Sequence, residues 1–259
     1  ASPAALGGKV LITSGSSTTA TSGAIALFTS DAGINSGNPA AAGGASGNIL
    51  LSTGSSTAGL SGGIYLGTGT GVGDAAGDIK MTVGSGDTGP GGDLVMAAGA
   101  TTTTPGTSGG AVTITTGASA KSSSGNMIMR TANAGPSGVS GYAVLSTGDA
   151  TAGAPSGDMW MGTGNSVGGH GGDVVITVGS GSADVGGQLV LSAGKSTADD
   201  SGAIHMGTHS STGGHGGDIN IMVGTGDTKA GGAITISAGD STAATNADGL
   251  GGDVVVTSG

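Results

Sequence analysis

At 259 residues the chain is long enough for one or two ordinary domains, but 61 glycines, 6 prolines and a charged fraction of 8% set it apart from the usual globule. A net charge of −10 argues against a nucleic-acid partner, which selects basic surfaces. The absence of cysteine excludes a disulfide framework and a thiolate metal site, and no apolar run approaches the roughly 20 residues that span a bilayer.

The organising feature is a 15-residue spacing between equivalent glycines. The stretch GDVVITVGSGSADVG from Gly172 shows the pattern: an opening glycine, apolar residues two apart at Val174, Ile176 and Val178, a closing Gly179, then small polar residues up to the next glycine pair. In chain order such repeats open at Gly8, Gly23, Gly47, Gly62, Gly77, Gly92, Gly110, Gly125, Gly141, Gly157, Gly172, Gly187, Gly202, Gly217, Gly232 and Gly252, sixteen in all. The back half is lengthened after Leu27, after Met96 and in the last loop, DSTAATNADGLG. No linker divides the series, so residues 1–259 read as one repeat domain. The chain opens ASPAAL without Met, which suggests a segment of a longer array or filament.

Period-2 alternation reads the front half of each repeat as a strand. No segment has a helical period, and this glycine density disfavours helix by about 1 kcal/mol at each glycine. Repeats of 15 residues stacked in register would share a core that none could form alone. The expected fold is therefore all-β: a β-solenoid, or parallel β-helix, of about sixteen 15-residue repeats. Seven of the eight methionines, Met81 and Met96 among them, would fill its narrow interior. Thr57, Val72, Val167, Thr197, Thr212 and Thr242 would add a contact from each back half. Repeats with GTG-, TVG- and SAG-type ends recur in that order from Gly62, Gly157 and Gly202. That 45-residue super-period fits either duplicated three-coil blocks or one repeat on each of three faces.

Few residues suggest chemistry. All 16 acidic residues are Asp, a turn former. The Gly-Asp strings at Asp78, Asp173 and Asp218, the last two preceded by a second glycine, resemble the calcium-binding nonapeptide repeats of secreted bacterial toxins, which makes these three residues Ca²⁺ candidates. They lack the spaced GGxGxD pattern of those repeats, so an Asp that forms turns and solubilises an edge is the simpler expectation. His170 and His215 share one position in GGHGG strings 45 residues apart and would meet only in the three-faced arrangement. No catalytic constellation is evident, and no enzyme activity or bound cofactor is expected.

The residues between the inward ones are more informative. Leu11, Leu50, Tyr65, Val95, Ile128, Val144, Trp160, Val175, Val190 and Val255 would form an apolar stripe on the outer face. Strands apolar on both faces read as covered on both, so self-association or filament neighbours are the expected partners. The sequence also resembles the tandem Gly/Ser/Thr-rich β-repeat regions of large secreted microalgal proteins over nearly its whole length. That resemblance implies an extracellular or cell-surface structural role and nothing about individual residues. The expected function is thus an extracellular, self-assembling fibre, matrix or adhesin repeat protein. Two alternatives are an ice-binding solenoid, for which the outward Thr-x-Thr pair occurs only at Thr113–Thr115, and a carbohydrate-binding solenoid that would take glycans.

Overall fold

In the computed structural model, residues 8–32, 44–102, 108–151, 153–183, 185–241 and 251–259 are described. The chain divides into two units, Ala1–Met129 and Arg130–Gly259, and the same repeat builds each. In both, the front half of a repeat is an arm free of turns and bends. In the back half the chain bends at one fixed place: residues 18–20, 57–59, 72–74, 87–89 and 120–122 in the first unit, and 167–169, 197–199, 212–214 and 227–229 in the second. Counted from the opening glycine, these are the eleventh to thirteenth residues each time; the 16-residue repeat opened by Gly125 turns one place later, at 136–138. The 15-residue period is therefore real in three dimensions, as a period of bends.

Each bend is held by local chemistry. In four repeats whose tenth residue is Ser, its hydroxyl oxygen accepts a backbone N–H across the bend: Ser17 from Ala20 (2.9 Å), Ser56 from Gly59 (3.0 Å), Ser119 from Ser122 (2.9 Å) and Ser196 from Asp199 (2.9 Å). This side chain-to-backbone bond is what Ser offers a turn in place of a ladder. Where the tenth residue is glycine, carbonyls occupy the space of a side chain. A Cβ on Gly71, Gly86 or Gly226 would lie 2.5, 2.5 or 2.3 Å from the carbonyl oxygen of Ala75, Gly89 or Lys229. Gly73, Gly168 and Gly213, each twelfth in a GTG-type repeat, have φ of 85°, 82° and 93°, a conformation that costs other residues about 1–2 kcal/mol.

The bend returns the chain to where the arm ended, and a clasp closes the loop. Its backbone form is an N–H from the next opening glycine to the closing glycine's carbonyl: Gly23 to Gly15 (2.9 Å), Gly125 to Gly117 (3.0 Å), Gly187 to Gly179 (3.3 Å) and Gly202 to Gly194 (3.0 Å). In a second form the residue before the closing position donates a hydroxyl: Thr53 Oγ1 to the Gly62 carbonyl (3.1 Å), Thr163 to Gly172 (3.0 Å) and Thr208 to Gly217 (3.0 Å). In TVG-type repeats the valine side chain abuts the opening glycine. A Cβ on Gly92, Gly187 or Gly232 would lie only 2.8, 2.6 or 2.6 Å from Cγ1 of Val83, Val178 or Val223. The clasp also survives lengthening, because Gly110 still bonds Gly99, Gly252 still bonds Gly239 (2.8 Å), and Thr29 reaches the Gly47 carbonyl across 18 residues. Closing a loop of about nine residues costs about 2 kcal/mol in chain entropy, and one solvent-exposed hydrogen bond returns about 0.5–1.5 kcal/mol. Bend and clasp together are close to balance.

These clasps overturn the β-solenoid. The described residues contain neither strand nor helix. A coil of one repeat would set each opening glycine on the opening glycine before it. The clasp instead sets it on the seventh and eighth residues of the preceding repeat, and an arm of that length puts those places on the order of 20 Å apart. The chain comes back after half a repeat, so stacked coils do not form, whether with one repeat or three to a turn.

The expected core is absent with them. No described residue is buried. The chain exposes 25,245 Å², whereas a compact protein of this length exposes about 10,000 Å². Met81, Met96, Met127, Met129, Met159, Met161 and Met206 are solvent-exposed, not interior. Val72 and Val167, expected to point inward, sit on bends and are fully exposed, and Thr57, Thr197 and Thr212, also on bends, are exposed. Thr242 lies outside the described residues. The physical reason is the thinness of each repeat: three small apolar side chains and a 2% aromatic content cover little area, and every glycine adds to the entropy that folding must overcome.

Candidate functional site

The outer stripe can now be set beside the inner set along each arm. Leu50, Tyr65 and Trp160 are 89%, 96% and 90% exposed, and Leu11, Val95, Ile128, Val144, Val175, Val190 and Val255 also face water. Some inner residues are less open, with Ile49 at 53% and Val178 at 44%, the latter shielded by its contact with Gly187, but Val10 and Val256 are more open than the outer Leu11 and Val255 beside them. Both faces of the arm are wet. Tyr65 lies back along its own backbone, since a Cβ on Gly63 would meet its ring at 3.1–3.3 Å. The absence of a side chain at Gly63 is what admits the ring.

The expected metal candidates stay apart. No group of three or more His, Cys, Asp or Glu side chains comes together among the described residues. Asp78 faces Lys80 at 4.0 Å with both side chains largely in water, a separation and exposure at which an ion pair contributes little. Asp173 and Asp218 occupy the equivalent arm positions, also exposed. Loop aspartates act as turn formers, as composition suggests: Asp74 Oδ1 accepts the Ala75 N–H (2.8 Å) and Asp199 Oδ1 that of Asp200 (2.9 Å).

The histidine pair behaves as two copies of one local motif. His170 Nδ1 donates to the Gly171 carbonyl at 2.9 Å, and His215 Nδ1 to that of Gly216 at 3.1 Å. Each ring is tied to its own loop, immediately before a clasp glycine. Thr113 and Thr115 are exposed on the arm opened by Gly110. Two concavities, at Arg130–Asn133 and Phe28–Asp31, are each lined by four consecutive residues. Each is a shallow hollow along one stretch of chain, whereas a ligand pocket needs polar groups converging from several elements.

The clasp residues are what the sequence reading missed. Their signal was present: a Ser, Thr, Val or Ala always stands nine residues before the opening glycine when the loop has its ordinary length. The three end types close differently: a Thr hydroxyl in the repeats from Gly157 and Gly202, a Val methyl, and an Ala that leaves closure to the backbone. The 45-residue super-period thus repeats the order of clasps.

No family model matches the chain, and neither the curated proteins nor the solved structures yield a match to it. Among the described residues no helix is long and apolar enough to cross a membrane.

Proposed function

We propose that this chain is a self-associating structural repeat protein of the fibre, matrix or adhesin kind, acting outside the cell or at its surface, with no chemistry of its own. One observation carries the reading: sixteen arms bear regularly spaced Ile, Leu, Val and Met, and no described residue of the isolated chain is buried. Fully burying a side chain of this kind is worth about 1.5–3 kcal/mol. Covering even one in each arm would therefore release on the order of tens of kcal/mol, which the chain alone leaves unused. Exposed apolar patches of this extent mark interaction surfaces. The charged fraction is only 8%, so the net charge of −10 is spread thinly along the chain.

Sedimentation velocity over a hundredfold concentration range, with electron microscopy of the most concentrated sample, tests the reading. Concentration-dependent assembly into regular particles or filaments is expected. A monomer at every concentration would remove it.

A further inference from the structure

The arms carry two kinds of unmet capacity. One is the apolar surface just described. The other is the backbone: in 173–178 and 188–193, among the described residues, no main-chain N–H or C=O group has a protein partner, because the clasps engage only the glycines at the junctions. A run of unpaired donors and acceptors flanked by alternating side chains fits one chemical complement, a second stretch of unbent backbone. A rigid ligand or a smooth apolar surface cannot meet those groups.

We propose that the arms are the association surface and that their partner is a second copy of this chain, arm pairing with arm through main-chain hydrogen bonds between molecules. The inference rests on the self-associating reading above and specifies its contacts. Two features select a second copy over a foreign strand. The exposed area exceeds that of a compact chain of this length by about 15,000 Å², many times the roughly 1,200–2,000 Å² of a standard interface. A short foreign strand would cover one arm only, whereas a copy presents arms at the same 15-residue spacing and meets many at once. The arms themselves oppose this little: 172–178 and 187–193 contain one charged side chain between them, Asp173.

Proline substitution separates the two levels. Val175→Pro with Val190→Pro deletes two arm N–H groups that the isolated chain does not use, so the monomer should be unchanged. Ser182→Pro with Thr197→Pro places the same ring at two bends as the control. Assembly would be followed by sedimentation, and amide hydrogen exchange would be read on monomer and assembly by mass spectrometry of pepsin fragments. The arm pair should raise the concentration for half-assembly at least about tenfold, since proline cannot join a ladder, and the bend pair by no more than about twofold. Arm amides should exchange slowly in the assembly and fast in the monomer. Assembly with unprotected arms, or equal weakening by both proline pairs, overturns the inference and leaves the structural reading standing. Failure to assemble overturns both. Arm protection that appears at fixed dilution on adding phosphatidylcholine vesicles, and not with rising protein concentration, assigns the surface to another occupant and overturns the inference too.

Discussion

The arms and the clasped loops of this protein invert the usual division of labour. The arms hold nearly all the large apolar residues, yet the described ones form no strand or helix, and the main chain of 173–178 and 188–193 has no internal partner. The loops hold glycine, serine and threonine, and contain nearly all the hydrogen bonds and the close contacts. Alternating hydrophobicity specifies a strand only where a second layer receives the apolar face. A Ser hydroxyl over a bend, or a left-handed glycine, needs no partner beyond its own loop. In a chain this poor in core material, local chemistry is satisfied first.

That contrast can be broken most sharply at the glycines. Gly226→Ala would set a Cβ 2.3 Å from the Lys229 carbonyl oxygen, and Gly187→Ala one 2.6 Å from Val178 Cγ1. Overpacking of this kind costs about 1–3 kcal/mol, more than a clasp returns, so either change should open its loop. For Gly187→Ala, exchange at the residue-187 amide should rise to the unprotected rate. Gly179→Ala, with nothing within 4 Å of the added Cβ, should leave it alone. Next in size is Gly213→Ala, which forces a side chain to φ near 93° at a cost of about 1–2 kcal/mol. Chemical shifts of residues 208–217 should move toward random-coil values, whereas Gly216→Ala, in open space, should not move them.

A smaller effect is expected at Thr163. Thr163→Val keeps the shape but removes the hydroxyl that donates to the Gly172 carbonyl, a loss of about 0.5–1.5 kcal/mol. The nuclear Overhauser contact between the residue-163 methyl and the Gly172 α-protons should weaken without vanishing. Ser196→Ala removes the acceptor for the Asp199 N–H and, at 3.3 Å, the Ala198 N–H, and should cost about as much, read as faster exchange at those two amides. The smallest effect belongs to an arm. Lys80→Ala breaks a 4.0 Å exposed ion pair and should change none of these readouts.

The same contrast explains what could be read from the chain. The register was legible, because opening glycines recur where a side chain would strike the residue nine before, as Val83 and Gly92 show. Aspartate as a turn former was legible too, in Asp74 and Asp199. The solenoid was not there to be read. Val174, Ile176 and Val178 alternate as a strand would, but period-2 spacing describes one chain and says nothing of whether another lies beside it. The clasps went unseen because Thr163, Val178 and Ala193 do equivalent work by unlike means, so no single residue type marks the place.

Amide hydrogen exchange on the dilute monomer, resolved to single residues, tests most directly whether structure resides in loops and not in arms. Arm amides such as those of Ile176 and Leu191 should exchange at the rate of an unstructured peptide, with modest slowing confined to clasp amides such as those of Gly23, Gly110, Gly125, Gly187, Gly202 and Gly252 and to bend amides bonded to Ser, such as Ala20 and Asp199. A cooperative set of slowly exchanging arm amides in the monomer would contradict it, and would mean that the arms find their partners within one chain.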